Sequence, residues 1–96
     1  MITNKQRAFL RGLANGLDAV LQIGKGGLTP DVTAAVSESL EKRELVKISV
    51  LNNCTEDPMA IADALAGRTR SDVVQVIGKK IVLYRPSKTH QAIQLP

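Results

Sequence analysis

The residues whose types and spacing point most directly to chemistry are the four at Gly24–Gly27, which read Gly-Lys-Gly-Gly and are called the glycine loop below. Glycines take positive φ angles at little cost and leave the backbone N–H groups open to a ligand. Thr29 and Pro30 follow as a helix N-cap and first helical residue. A helix N-terminus carries unpaired N–H groups and partial positive charge, and Lys25 adds a full charge. The chemistry that this arrangement predicts is binding of a phosphate group.

The spacing of the glycines distinguishes between the known kinds of phosphate-binding loop. It lacks the Gly-Lys-Ser/Thr ending of a nucleotide P-loop and the G-x-G-x-x-G spacing of a dinucleotide site. It does match G-x-x-G, the loop with which KH-type modules clamp a nucleic-acid backbone. A turn that only reverses the chain is the alternative interpretation of the same residues.

Charge is distributed unevenly along the chain, whose formal net charge is +4. Residues 31–67 hold seven acidic and three basic residues, a balance of −4, and the remainder holds ten basic and two acidic residues, a balance of +8. If the basic segments meet in the fold, they form a surface that binds a polyanion with salt-dependent affinity. The basic residues assigned to that surface are Lys5, Arg7, Arg11, Lys25, Arg70, Lys79 and Lys80.

Catalytic and metal-binding chemistry finds little support in the composition. The single histidine, His90, is far in sequence from the single cysteine, Cys54, and no Cys/His quartet exists for zinc. We therefore expect no enzyme activity, no metal and no cofactor. The only aromatic residues, Phe9 and Tyr84, lie in apolar patterns and are assigned to the core, which leaves no platform for stacking bases. Recognition of a nucleic acid would rest on backbone and shape.

The apolar runs of the chain are only a few residues long, and its first five residues lack the apolar region of a signal peptide. We expect a monomeric cytoplasmic protein with no membrane partner. At 96 residues it is predicted to form one domain over 1–96, in which the polar tail 86–96 can dock through Ile93 and Leu95.

Periodicity predicts seven elements in the order αβαβαββ. Thr3 and Gln6 form a capping box that starts the first helix. Phe9, Leu10, Leu13 and Leu17 recur at helical spacing and are assigned to its buried stripe. The first predicted helix begins at Asn4 and is ended by Asn15-Gly16, and the other two cover 30–43 and 58–66. The predicted strands are 19–23, 45–51, 73–77 and 81–85.

The later elements have clear local signals. Gly67 is the predicted stop of the third helix, in which Met59, Ile61, Ala62 and Leu65 are the apolar positions. Gly78, Lys79 and Lys80 form a hairpin tip. Strands joined through helices predict an α/β two-layer sandwich with a four-stranded mixed sheet.

Two blocks of sequence carry a resemblance to a known family. They are Leu21–Thr29, with the glycine loop, and Val74–Pro86, which reads Val-Gln-Val-Ile-Gly-Lys-Lys-Ile-Val-Leu-Tyr-Arg-Pro. In this order they resemble the signature blocks of the CRM domain, and the whole chain is similar to its stand-alone bacterial form, the YhbY/YqeI-like RNA-binding proteins. The resemblance implies a fold related to the C-terminal domain of the third bacterial translation initiation factor. It also implies a role with precursors of the large ribosomal subunit; similar plant domains serve intron splicing.

Site residues are also implied by this resemblance. Gly24, Lys25, Gly26 and Gly27 match the RNA-contacting loop, supported by the basic residues of the first helix. Lys79 and Lys80 match basic hairpin positions. Arg70 departs from the pattern, because relatives often carry glycine directly after the threonine that matches Thr69.

The function predicted from these observations is binding of structured ribosomal RNA, without catalysis, during large-subunit assembly. The alternative is a protein-interaction adaptor that docks an assembly factor or a ribosomal protein through an acidic helix face. Glu38 and Glu41 would carry that face, and the basic surface would then be incidental.

Overall fold

The structure, a computed structural model, describes residues 2–96 and contains three helices and four strands in the predicted order. Among these residues, no helix combines the length and the apolar character needed to cross a bilayer. The elements are α1 (Asn4–Ala14), β1 (Leu21–Ile23), α2 (Pro30–Arg43), β2 (Leu45–Val50), α3 (Pro58–Thr69), β3 (Asp72–Ile77) and β4 (Lys80–Tyr84).

The four strands form one mixed sheet in the order β1-β2-β4-β3. β1 and β2 are parallel and are connected through α2, whereas β4 is antiparallel to both of its neighbours. The carboxyl ends of β1 and β2 therefore lie side by side, together with the tip of the β3–β4 hairpin. The predicted α/β arrangement with a four-stranded mixed sheet is confirmed.

Side chains alternate between the two faces of the sheet, so each strand serves two apolar clusters. On β4, Ile81 and Leu83 join the larger cluster with α2 and α3, which form the helical layer. Val82 and Tyr84 face the other way and pack against α1. The second face is thus covered in part by one helix, and Ile93 and Leu95 of the tail pack against the same cluster.

The first two helices are capped at their N-termini by the residues that the sequence predicts. The hydroxyl of Thr3 accepts from the Gln6 amide at 3.1 Å while the Gln6 side chain accepts from the Thr3 amide at 2.9 Å, which completes the capping box. Thr29 caps α2 by accepting from the Val32 amide at 3.2 Å, and Pro30 is the first helical residue. The start of α2, directly after the glycine loop, is therefore fixed by local chemistry.

The predicted buried stripe of α1 is wrong in part. Leu10 is fully buried, but Phe9 is 40% exposed and Leu13 and Leu17 are exposed to a similar degree. The apolar strip that the sheet offers to α1 is narrow, so one row of the helix, Leu10 and Ala14, fills it. Leu13 and Leu17 instead line an open cavity of about 680 Å³ beside the end of α1. The assignment of Phe9 to the core is likewise wrong.

Several element boundaries also differ from the prediction. α3 continues past Gly67 to Thr69 and ends at Arg70, whose φ of 57° lies in the left-handed region that favours glycine. The Ser71 amide donates to the Ala66 carbonyl at 3.0 Å, which closes a Schellman-type end. Met59, at the start of α3, is exposed rather than buried. β1 is limited to Leu21–Ile23, whereas α1 ends at Ala14 with Asn15 as its cap, which confirms the predicted end at Asn15-Gly16.

Candidate nucleic-acid interface

The glycine loop is a tight turn between β1 and α2. The Gly27 amide donates to the Gly24 carbonyl at 2.9 Å, and Gly27 has a φ of 64° that a side chain would strain. Lys25 and Gly26 lie exposed at its tip. Within residues 2–96 the amides of these two residues have no hydrogen-bond partner. Two N–H groups and one ammonium are therefore available to an anion at the tip.

Three further amides of this segment, those of Leu28, Val32 and Thr33, are occupied within the chain. Val32 donates to the Thr29 hydroxyl, and Thr33 donates to the Thr29 carbonyl at 3.0 Å. The Leu28 amide donates to Oε1 of Glu56 at 3.0 Å, a side chain that reaches the loop from the segment before α3. The N-terminal end of α2 is thus capped in part, and the free donors at the loop tip lie in the turn that precedes it.

Three loops meet at this edge of the sheet. The amide of Leu51, which follows β2, donates to the Ile23 carbonyl at 2.8 Å, and the Val50 amide donates to the Lys79 carbonyl at 2.7 Å. Lys79 Nζ donates to Oδ1 of Asn52 at 2.9 Å. The hairpin tip is therefore tied to the segment after β2, which adjoins the glycine loop. The structure brings the hairpin lysines to the same edge as the glycine loop.

A polar strip on the second face of the sheet leads away from this edge. Gln22 pairs with Ser49, and Ser49 pairs with Lys80, so their side chains share one face. Lys80 Nζ donates to the Ser49 hydroxyl at 2.9 Å. Lys47 lies two residues earlier on the same face and was not among the predicted site residues. Its alternation with buried Val46 and Ile48 was the signal that could have placed it there.

The basic residues of α1 lie away from the glycine loop. Arg7 Nε donates to the Val73 carbonyl at 3.3 Å, at the β3 edge and at the opposite end of the strands. This position lies three strands across the sheet and four residues along a strand from the loop. The two separations together correspond to about 20 Å. Lys5 and Arg11 are exposed on the same helix, and α1 packs against the half of the sheet that holds Leu45 and Tyr84.

Arg70 lies at the end of the strands that is opposite the glycine loop. It precedes β3, whose first residue, Asp72, pairs with Tyr84. There Arg70 lines a polar cavity with Arg85 and Lys88. The structure therefore brings together the glycine loop, Lys79 and Lys80, and it leaves Lys5, Arg7, Arg11 and Arg70 outside that group.

The acidic residues at the end of α2 hold the C-terminal tail. Glu41 accepts from the Ser87 hydroxyl at 2.7 Å and from the Lys88 and Thr89 amides at 2.9 and 3.1 Å. The hydroxyls of Ser87 and then of Thr89 are the main donors that lower the pKa of Glu41 from 4.5 to about 2. Its carboxylate is thus engaged inside the molecule.

Glu44 is buried and contacts the tail more deeply. Burial alone would raise its pKa, but three backbone N–H donors outweigh burial, and the pKa is lowered. Those donors are the amides of Ser87, Ala92 and Ile93, at 2.8, 2.7 and 2.9 Å. Of the acidic face, Glu38 remains at the surface, where it pairs with Lys42 at 3.2 Å.

Comparison with known proteins places this geometry in a family. The model of the CRS1/YhbY (CRM) domain matches residues 2–85. The chain belongs to this family. Among CRM proteins, "Probable RNA-binding protein YqeI" of Bacillus subtilis is 48% identical over 96 residues, which cover both chains completely. An "RNA-binding protein" of Haemophilus influenzae is 40% identical over 95 residues, covering 99% of this chain and 95% of its own.

A solved structure supports the same assignment. The solution structure of SAV1595 from Staphylococcus aureus superimposes with a TM-score of 0.84, at 46% sequence identity, with complete coverage of both chains. The CRM family assignment made from the two sequence blocks is confirmed, and so is the α/β fold that it implied.

Proposed function

We propose that this CRM protein binds structured ribosomal RNA through its glycine loop, without catalysis, and acts in assembly of the large ribosomal subunit. The observation that carries the proposal is the pair of unpartnered amides at Lys25 and Gly26, exposed at an edge that also holds Lys79 and Lys80. The relatives that match along essentially the whole chain are named as RNA-binding proteins, which supports RNA as the ligand.

The chemistry of the interface fits an RNA backbone. The free amides of the turn donate to one phosphate of the RNA. Lys25 and the hairpin lysines neutralise the neighbouring phosphates along the RNA backbone. The polar strip with Gln22, Lys47 and Lys80 then faces sugars and further phosphates. Because the interface has no aromatic platform, we expect it to follow A-form shape rather than to stack bases. Arg7, about 20 Å away, would be reached only by an RNA that crosses the sheet face.

The decisive experiment compares wild type with the double variant Lys25→Asp/Gly26→Asp in a salt titration of a large-subunit rRNA fragment. A Cβ at Gly26 meets no atom within 4 Å, so the variant should fold. We expect it to lose affinity by about 10-fold to 100-fold. Wild-type affinity should fall with salt on a log-log slope of about −2 to −4, as expected for a few phosphate contacts.

A matched control makes the same charge change elsewhere. Lys42→Asp/Gly67→Asp alters exposed helical positions, and a Cβ at Gly67 also meets no atom within 4 Å. This control should bind like wild type. Equal loss in both double variants would attribute binding to net charge alone, and equal affinity for duplex DNA of the same length would contradict the RNA preference.

The adaptor alternative has weaker support. Its acidic face depends on Glu41, whose carboxylate is held by Ser87 and the tail amides, and on Glu38, which is paired with Lys42. It predicts association with a protein partner that survives RNase treatment. An RNase-resistant partner that is lost in Glu38→Lys would favour it over RNA binding.

A further inference from the structure

A carboxylate lies directly against the glycine loop. Oε1 of Glu56 accepts from the Leu28 amide at 3.0 Å, and the carboxylate occupies the space where a Cβ at Gly27 would lie. The two segments are 28 residues apart in sequence, so this is a tertiary contact. Gly27 is therefore favoured by its positive φ, and any side chain at this position would also displace the Glu56 carboxylate.

The position of this carboxylate is the one that favours an anion. Carboxylate and phosphate oxygens accept the same hydrogen bonds from backbone N–H groups. The Leu28 amide that Glu56 holds lies directly after the turn whose Lys25 and Gly26 amides are free. The Gly26 and Leu28 amides are two residues apart, less than about 8 Å. A phosphate held at the tip would therefore lie close enough to the negative charge of Glu56 for the two to repel.

The hold of Glu56 on the loop is weak. Its side chain is exposed, and the Leu28 amide is its one hydrogen-bond donor within residues 2–96. Among those residues no lysine or arginine lies within ion-pair distance of it. An exposed carboxylate with one donor can leave the loop at small cost.

We propose that Glu56 is an internal competitor of the RNA phosphate at the glycine loop. In the free protein it holds the Leu28 amide, and on binding it turns into solvent and yields the loop to the phosphate. It lowers affinity for every phosphate and so favours ligands that also reach Lys79 and Lys80. This inference rests on the proposed function and adds a specificity-determining residue to it.

Glu56→Gln tests the competition, because the glutamine keeps the shape and the acceptor oxygen and removes the charge. We expect the variant to bind a large-subunit rRNA hairpin about 3-fold to 10-fold more tightly than wild type, from the lost repulsion. Its thermal unfolding should match that of wild type. Glu38→Gln is the matched control, since Glu38 lies eight residues along α2 from Pro30, about 12 Å from the loop.

A second variant separates the effect of the charge of Glu56 from that of its hydrogen bond. Glu56→Ala removes the carboxylate and its hydrogen bond together, and it should also bind more tightly than wild type. In addition, the Leu28 amide resonance should shift in the free Ala variant towards a solvent-exposed value, and RNA should shift it in wild type. A Leu28 resonance that RNA leaves unchanged in wild type would overturn the displacement.

The outcomes distinguish this inference from the proposed function. Tighter binding by both Glu56 variants, with Glu38→Gln unchanged, supports the competition. Weaker or unchanged binding by both shows that Glu56 only positions the loop, and it overturns the inference while the Lys25→Asp/Gly26→Asp result still stands. If wild type itself does not bind the rRNA hairpin, the proposed function fails first.

Discussion

Two regions of this molecule use a glutamate carboxylate to hold backbone amides, and they do so to different degrees. At the tail, Glu44 is buried and accepts from three amides, and its neighbour Glu41 accepts from two more amides and two hydroxyls. At the glycine loop, Glu56 is exposed and accepts from one amide. The chemistry of the acceptor is the same in both places.

The difference lies in the cost of removing the carboxylate. Buried donors that lose their acceptor have no water to replace it, whereas an exposed amide exchanges its acceptor for water or for another anion. A buried carboxylate with several donors, such as Glu44, therefore works as a structural clasp, and an exposed one with a single donor works as an exchangeable ligand. The comparison can be tested by breaking each contact in turn.

The largest effect is expected from Glu44→Ala, which leaves the amides of Ser87, Ala92 and Ile93 without an acceptor. We expect a loss of about 3 kcal/mol in the free energy of unfolding, measured by urea denaturation. The control Glu38→Ala removes one exposed ion pair and should cost less than about 0.5 kcal/mol. A Glu44→Ala protein as stable as the control would show that the tail is not held by this carboxylate.

Acid should open the same clasp. The pKa values of both Glu41 and Glu44 are lowered in the folded protein, so their contribution to stability is fully present above the unfolded value of 4.5. It is lost as the pH falls from about 4.5 through the folded pKa of Glu41, about 2. Urea midpoints measured across this window should decline in wild type.

The variant Glu41→Gln provides the internal comparison for the acid experiment. It should already be less stable at neutral pH, because the Ser87 and Thr89 donors lose a charged acceptor. Its midpoint should then change less with acid than that of wild type. Parallel declines in the two proteins would assign the acid sensitivity to other carboxylates.

Local sequence signals predicted most of the fold. The capping box of Thr3 and Gln6 and the N-cap at Thr29 depend on residues three positions apart, so the chain shows them directly. Strand alternation works in the same way. The stripe of α1 was misassigned because the sequence shows which residues are apolar but not how wide a surface the sheet offers to the helix.

The end of α3 illustrates a different limit. Gly67 is the residue type that usually stops a helix, yet the left-handed residue is Arg70. Arg70 keeps the left-handed conformation that a glycine would adopt without strain, so an αL helix end does not need the glycine that the sequence pattern suggests.

The candidate site could be predicted from the sequence only as far as its local part. The G-x-x-G spacing identified the loop, but two tertiary facts decide its chemistry. Lys79 reaches Asn52 across 27 residues and Glu56 reaches Leu28 across 28, and neither contact has a sequence signal. The basic residues of α1 are grouped with the loop by charge and by the family resemblance, and neither tells which end of the sheet a helix covers.

The smallest effect on stability is expected at the glycine loop. Glu56→Ala removes one exposed hydrogen bond, and water can satisfy the Leu28 amide, so the free energy of unfolding should fall by less than about 1 kcal/mol. Urea denaturation of Glu56→Ala and Glu44→Ala under the same conditions compares the contributions of the two contacts to the free energy of unfolding. A loss as large as that of Glu44→Ala would mean that the loop needs its carboxylate to fold. Glu56 would then be a second clasp, because a contact of that strength could not yield its amide to a phosphate.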